Sequence, residues 1–233
     1  MSFFLTKNHI LTLIAILGLT MILPGQTTHY VDIDATGGNN GSSWANAYTE
    51  LQSALGAAVS GDEIWVATGT YVPTSGSDRT ISFQMKSGVG LYGGFSGSET
   101  LRTQRDPATN PTILSGDLNG DDGPNFSNND ENSYHVVWAD GVNSSTVLDG
   151  FTIQGGNADG ASSHYGLGGG MFNNNSSPAV THCTFSGNSA QIGGGMHNSS
   201  SSPAVTNCCF SANSAQYGGG MNNVQSTPAI TNC

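Results

Sequence analysis

The motif Gly-Gly-Gly-Met occurs three times at a constant interval of 25 residues, at 168–171, 193–196 and 218–221. The same interval relates six further columns of side chains, which are Pro178, Pro203 and Pro228; Val180, Val205 and Ile230; Cys183, Cys208 and Cys233; Phe185 and Phe210; Asn188 and Asn213; and Asn173, Asn198 and Asn223. A repeat of this length is typical of a solenoid, because one unit buries its apolar face only by stacking on its neighbours.

The residue types within the repeat select among the known solenoids. A leucine-rich repeat is excluded because the repeat contains no Leu and has no helical spacing of apolar residues. Gly triplets, Pro and Asn are poor helix formers and exclude helical repeats. A calcium-binding β-roll needs Asp in every short repeat, and no Asp follows Asp159. The sequence therefore predicts an all-β parallel β-helix with about 25 residues per coil.

The repeat also predicts which side chains stack between coils. In the first regular coil we expect strands at 178–181 and 183–185, separated by a bend at His182, and a third strand that includes Met171. Inward side chains should lie about 4.8 Å above their equivalents in the next coil. The predicted stacking residues are Cys183, Cys208, Cys233, Phe185, Phe210, Asn188, Asn213, Asn173, Asn198 and Asn223, the Asn side chains forming amide ladders.

The four cysteines leave two interpretations open. An even number in an oxidising compartment would suggest disulfides. However, Cys183, Cys208 and Cys233 occupy one column, where parallel side-chain directions disfavour disulfide geometry. They are either reduced thiols stacked in the core or include a bridge within the column or with Cys209. No Cys-x-x-Cys spacing supports a zinc site.

The chain divides into four predicted regions. Residues 1–26 resemble a secretory signal peptide, because Lys7 precedes an apolar run of 14 residues that is short for a membrane span. An uncleaved anchor and a buried helix are the alternatives. Residues 27–61 form an N-terminal cap, in which apolar side chains at helical spacing from Trp44 to Ala58 predict one amphipathic helix, with Ser42 or Ser43 as N-cap and Gly61 as its end.

Irregular coils follow at 62–159 and regular coils at 160–233. The first regular coil aligns with 148–158 at an offset of 32 residues, with an insertion at 159–165. The last coil stops at Cys233, which predicts a truncated chain, because an uncovered end of a β-helix exposes strand edges.

One segment concentrates the carboxylates, the acidic loop at 117–133. Asp117, Asn119 and Asp121 have the alternate spacing of oxygen ligands in a calcium loop, and Asp122, Asp130 and Glu131 lie nearby. The match to a helix-loop-helix site is partial, because Asp122 stands where that site has Gly. The loop is either a structural Ca²⁺ site formed by Asp117, Asn119, Asp121 and Asp122 or a solvated acidic loop. No other cofactor is indicated.

Charge limits the partners and the chemistry. The chain has 16 acidic and five basic residues and a formal net charge of −11, which disfavours nucleic acid and anionic membranes as partners. No Asp, Glu, Lys or Arg occurs after Asp159, so the regular coils contain no acid-base machinery. We expect His197 to face solvent, where it could edge a binding face with His164. Trp44, Trp65 and Trp138 are expected in cap and core rather than on a sugar-stacking surface.

The segments "YVDIDATGGNNGSSWANAYTELQSAL", "GDEIWVATGTYVP", "LYGGFSGSET" and "LDGFTIQGGNA" resemble the amino-terminal part of secreted bacterial right-handed β-helix proteins of the pectin-lyase-like superfamily. The Phe-x-x-Asn units at 185–188 and 210–213 are similar to repeats of chlamydial polymorphic outer membrane proteins, although those carry Gly-Gly-Ala-Ile where this chain has Gly-Gly-Gly-Met. The resemblance implies a right-handed coil and a secreted or cell-surface location, with membrane association only through export or an anchor outside this chain.

Two functions remain open at the level of sequence. The first is a structural, adhesive or glycan-binding scaffold without catalytic residues in the repeats. The second, implied by the resemblance, is a polysaccharide lyase or glycoside hydrolase with its site in the acidic loop or in further coils. Lyases of this fold need carboxylates plus a basic residue, and Arg102 and Arg105 are the basic residues nearest to the loop in sequence.

Overall fold

The structure is a computed structural model that describes residues 25–161 and 164–233. Most of the predicted signal peptide, residues 1–24, lies outside the described residues. The strands are β1 Thr28–Val31, β2 Glu63–Ala67, β3 Gly69–Tyr71, β4 Phe83–Gln84, β5 Gly90–Phe95, β6 Thr112–Ser115, β7 Val137–Asp140, β8 Val147–Asp149, β9 Thr152–Gln154, β10 Asn157–Ala158, β11 Met171–Asn174, β12 Ala179–Thr181, β13 Thr184–Ser186, β14 Ser189–Ile192, β15 Met196–Ser199, β16 Ala204–Thr206, β17 Cys209–Ser211, β18 Ser214–Tyr217, β19 Met221–Val224 and β20 Ala229–Thr231. Helix α1 spans Leu51–Ala57, and 3-10 turns span Trp44–Asn46, Arg102–Gln104 and Pro124–Phe126.

The strands form four parallel sheets. Sheet A has the order β1-β2-β5-β8-β12-β16-β20, sheet B β3-β6-β9-β13-β17, sheet C β4-β7-β11-β15-β19 and sheet D β10-β14-β18. Within the described residues every strand pairing is parallel, and from β2 onward consecutive strands of the chain lie in different sheets. This arrangement is consistent with a β-solenoid-like fold.

Strand pairing in the regular part follows the sequence repeat. Met171 pairs with Met196 and Met196 with Met221, so paired residues are 25 positions apart. The same step joins β12 to β16 and β13 to β17. Further upstream Thr184 pairs with Thr152, which is the predicted offset of 32. One apolar core of inward-facing side chains runs from Val31 in β1 to Cys208 before β17.

The Gly triplets permit the close approach of adjacent coils. Gly168 has φ +65°, a left-handed conformation that costs a non-Gly residue energy. A Cβ on Gly169 would lie 2.2 Å from the carbonyl oxygen of Ser189, and one on Gly170 would lie 2.5 Å from that of Gly195. The first Gly is therefore required for backbone conformation, and the next two are required for space.

The N-terminal cap differs from the single helix that the sequence predicts. Ser43 caps a 3-10 turn by accepting a hydrogen bond from the Asn46 amide at 3.3 Å. The chain then extends, because Tyr48 joins β1 through hydrogen bonds to Tyr30 and Asp32. Helix α1 starts only at Leu51 and ends before Ala58, and its apolar side packs into the core. Pairing with β1 interrupts the helix, so the prediction of one continuous helix ending at Gly61 is wrong.

Among the described residues, no helix has the length and apolar content that crossing a membrane requires.

Candidate functional site

The acidic loop is organised around the carboxylate of Asp117. Its Oδ1 accepts hydrogen bonds from the backbone amides of Gly120 at 2.6 Å and Asp121 at 3.2 Å, and its Oδ2 accepts one from Asp122 at 3.1 Å. These bonds wrap residues 117–122 around one side chain. Asp117 follows directly after sheet B, because β6 ends at Ser115, whose hydroxyl accepts a hydrogen bond from the Asp117 amide. The sheet thereby fixes the position of the loop.

Three carboxylates of the loop converge. Oxygen atoms of Asp117, Asp121 and Glu131 all lie within 4.8 Å of one another. Glu131 Oε1 is buried and has no hydrogen-bond partner among the described residues. Carboxylate oxygens are the ligands that Ca²⁺ prefers, and an unpaired buried carboxylate oxygen is costly without a cation or a donor. These residues fit a calcium ion, which Asp117, Asp121 and Glu131 would hold.

The converging set differs from the one that sequence spacing suggested. Asp117 and Asp121 belong to both, whereas Asn119 is exposed and its side chain makes no hydrogen bond to any described residue, and Asp122 does not belong to the group. Glu131 joins the group because the 3-10 turn at Pro124–Phe126 and the bends around it bring the chain back toward Asp117. Asn125, Phe126 and Asn128 have φ values near +60° there. A pattern that looks for ligands at alternate residues does not predict that the chain folds back and brings Glu131 close to Asp117.

Asp122 lies beside the three converging carboxylates, and its own carboxyl has a raised pKa. Partial burial, followed by the charges of Asp117, Glu131 and Asp121, raises the pKa of its carboxyl to about 6, although the Asn132 amide opposes this by donating a hydrogen bond at 2.8 Å. Burial also raises the pKa of Glu131, and the neighbouring charges add to that effect. The loop therefore carries negative charges that repel one another, which a divalent cation would relieve.

A cleft of about 430 Å³ lies between the acidic loop and the outer face of sheet B. The loop contributes Asp117, Asp122 and Phe126 to its wall, and the sheet contributes Gln154 and Ser186, which are in-register partners on β9 and β13. Of the described residues that line the cleft, none is Lys, Arg or His. Its surface therefore combines carboxylates, two amides, a hydroxyl and one aromatic ring, which are groups that contact the hydroxyls and apolar faces of sugars.

The described arginines form their ion pairs outside the cleft. Arg105 pairs with Asp149 at 2.7 Å, and Arg102 pairs with Glu63. Arg79 pairs with Asp159 at 2.8 Å and donates to the backbone carbonyl of Asn132 at 2.6 Å. Arg102 and Arg105 do not line the cleft, so neither is positioned there as a base.

The stacking residues lie in ladders within the regular coils. Asn173 donates to Asn198 at 2.8 Å, and Asn198 donates to Asn223 at 2.7 Å. In a second column the Asn188 amide donates to Asn213 at 3.0 Å. Phe185 and Phe210 stack with ring centroids 4.8 Å apart and planes 4° apart. These contacts join adjacent coils through polar and aromatic side chains, of which Asn173, Asn188, Asn198 and Phe185 are buried.

All four cysteines are free thiols. Each thiol of the column donates to the carbonyl two residues before it, at 3.2 Å for Cys183, 3.4 Å for Cys208 and 3.3 Å for Cys233. Cys183 and Cys208 are buried, whereas Cys233 and Cys209 are exposed. Burial raises the pKa of the Cys183 thiol. The column therefore contains packed, unbridged thiols.

The predictions that His197 faces solvent and that Trp138 lies in the cap or the core are wrong. His197 faces away from the core but is only 3 % exposed, because it packs beside Phe172 in sheet C at a centroid distance of 5.8 Å. Trp65 lies in an aromatic cluster on the outer side of sheet A, with Trp44 packed against it. Trp138, in contrast, is half-buried on the outer face of sheet C and belongs to neither the cap nor the core. Strand alternation alone does not show which outward residues neighbouring segments cover.

Comparison with known proteins gives no match: no family model, no curated protein and no solved structure is similar to this chain.

Proposed function

We propose that this protein is an exported extracellular or cell-surface scaffold that binds carbohydrate in the cleft between the acidic loop and sheet B. The observation that carries the proposal is the cleft itself, a polar groove of about 430 Å³ with one aromatic side chain on its wall. Calcium held by Asp117, Asp121 and Glu131 would stiffen one wall of this cleft and reduce its negative charge.

We further propose that the four sheets form the faces of one right-handed parallel β-helix of the pectin-lyase-like type. Three features support this assignment, namely the uniformly parallel pairing, the 25-residue step between partners and the Asn ladders. Parallel connections within one sheet are right-handed in nearly all proteins. The extended stack provides a rigid surface on which a polysaccharide can contact several coils at once.

The binding function is tested on a glycan array that includes neutral and uronic-acid oligosaccharides. The purified protein is probed in calcium and again in EDTA, and the Asp121→Asn variant serves as a comparison. We expect a defined set of glycans to be retained in calcium, with weaker signals in EDTA and for the variant. Signals at background level for every glycan in both buffers would overturn the proposal.

A second candidate function is glycoside hydrolysis, which one observation favours. Asp117 and Asp122 line the same cleft, and the pKa of Asp122 is raised to about 6, as in a general acid beside an ionised carboxylate. If this is correct, incubation with the bound glycans releases reducing ends, and Asp122→Asn abolishes the release without loss of binding. Unsaturated products absorbing in the ultraviolet would instead indicate a lyase. The cleft does not favour that reaction, because none of its described lining residues is basic.

A further inference from the structure

A second cleft, of about 540 Å³, lies on a different side of the molecule, at the outer face of sheet C. Its wall includes Trp138 and Asp140 from β7 and Gln84 from β4, with Ser82 before β4 and Gln52 of α1 at its edge. Gln84 and Trp138 are in-register partners, so their side chains emerge side by side from adjacent strands. None of these residues lines the cleft beside the acidic loop.

The indole of Trp138 is held in place by three rings. His135, His164 and Phe172 surround it at centroid distances of 5.2, 4.9 and 5.5 Å, with interplanar angles of 88°, 70° and 72°. Such edge-to-face packing fixes the side-chain rotamer. An aromatic wall that is already rigid loses little conformational entropy when a ligand packs against it.

The polar groups beside Trp138 retain hydrogen-bonding capacity. The Gln84 side chain is exposed and makes no hydrogen bond within the described part of the chain. Asp140 accepts one bond through Oδ1, from Asn174 at 2.8 Å, and the described residues provide no donor for its other oxygen. Ser82 Oγ is buried and has no partner in the described part of the chain.

The charge of this cleft selects the ligand. Asp140 is the one charged residue among the described residues that line it, and the whole chain has a net charge of −11. A uronic acid would meet a carboxylate and no cationic partner, whereas the hydroxyls of a neutral sugar can donate to Asp140 and accept from Gln84.

From the geometry we infer that the cleft at Trp138 is a carbohydrate-binding subsite for an uncharged saccharide, which packs a sugar ring against the indole and bonds Gln84 and Asp140. The inference rests on the proposed carbohydrate-binding function, and it assigns that function a second contact surface. Unlike the cleft beside the acidic loop, this subsite contains none of the residues that fit calcium, so its binding does not depend on calcium.

The test is isothermal titration of the intact protein in EDTA. The neutral probes are cellohexaose, xylohexaose, mannohexaose and laminarihexaose, and hexagalacturonate is the charged probe. We expect at least one neutral probe to bind and hexagalacturonate not to bind. Affinity for that neutral probe should fall about tenfold in Trp138→Ala and about threefold in Gln84→Ala.

Matched variants show whether a loss of affinity is specific to the cleft at Trp138. Gln216→Ala removes an exposed amide on sheet D and should bind as the wild type does. Because Trp138→Ala removes packing, Trp138→Phe and Gln84→Ala provide folded variants for the comparison, with folding checked by circular dichroism.

The outcomes distinguish the inference from the function on which it rests. If a neutral probe binds but Trp138→Phe and Gln84→Ala match the wild type, the subsite is wrong and the carbohydrate-binding function stands. Binding of hexagalacturonate alone overturns the subsite in the same way. If no probe binds in EDTA or in calcium, and the glycan array is also blank, both proposals are overturned.

Discussion

At the scale of single residues, Asp122 links the stability of the acidic loop to pH. The pKa of its carboxyl is raised to about 6 in the folded protein, above the ordinary value of 3.8, so the folded state binds the proton more tightly than the unfolded state does. Ionised Asp122 therefore destabilises the fold, an effect that develops as the pH rises from about 4 to about 6 and is complete above that range.

We predict that Asp122→Asn raises the melting temperature in EDTA at pH 8 and has little effect at pH 4. Solvent screening at this exposed residue limits the gain in unfolding free energy to about 1 kcal/mol. Melting curves followed by circular dichroism between pH 4 and 8 measure the difference. A stabilisation that is equally large at pH 4 would show that repulsion between charges is not its cause.

The calcium ligands give a second prediction at this scale. Glu131→Gln should weaken Ca²⁺ binding about tenfold or more, because it removes a charge from the three converging carboxylates. Asp130→Asn is the matched control, since Asp130 is exposed, lies next to Glu131 in sequence and is not part of the converging group. Calorimetric titration with CaCl₂ provides the affinities. Equal loss in both variants would indicate a diffuse effect of net charge rather than a site.

At the scale of the elements, the Gly triplets set the distance between coils. Gly195 and Gly220 occupy the same position of the repeat. A Cβ on Gly195 would lie 2.5 Å from the carbonyl oxygen of Gly220, whereas a Cβ on Gly220 would lie 3.6 Å from the nearest atom. We predict that Gly195→Ala lowers the unfolding free energy by about 2–3 kcal/mol, whereas Gly220→Ala is close to neutral in this 233-residue chain. Urea unfolding measures both values, and similar losses would contradict a role of the triplets in coil spacing.

Element positions can be predicted where the sequence repeats and less well where it does not. The 25-residue step places Val180, Phe185 and Met171 in the core, as strand pairing and burial show. In the cap, helical spacing predicts one helix, because it does not reveal that Tyr48 pairs with β1. Glu131 is separated from its partners in sequence by a loop whose left-handed residues no periodicity predicts.

Coverage of the outer faces is equally hard to predict. His197 and Trp138 both point outward from sheet C. They occupy the same column of the sheet, because each pairs with Phe172 on the strand between them. His197 is nevertheless buried, and Trp138 borders a cleft. His164, which belongs to the inserted segment at 159–165, packs against Trp138, and an insertion of irregular sequence gives no indication of the surface on which it will lie.

At the scale of the whole molecule, the stacked strands present two clefts on different sheets of one rigid frame. The acidic cleft combines carboxylates with two amides and a hydroxyl, and the cleft at Trp138 is lined by an indole and polar groups with one carboxylate. A polysaccharide that contacts both clefts would gain affinity from the combined contacts. The function that we propose is therefore binding by a scaffold, with hydrolysis as the alternative that Asp122 variants test.

Obstruction of the acidic cleft tests the proposed carbohydrate binding most directly. Ser186 lines this cleft, whereas Thr184 lies two residues earlier on the same face of β13 and does not line it. The glycan for this test is the one that gives the strongest array signal in calcium and loses it in EDTA. Calorimetry in calcium compares its binding to Ser186→Trp and to Thr184→Trp. We predict that Ser186→Trp lowers affinity about tenfold or more, while Thr184→Trp stays within about twofold of the wild type. Equal affinity of all three folded proteins for that glycan would contradict binding in this cleft.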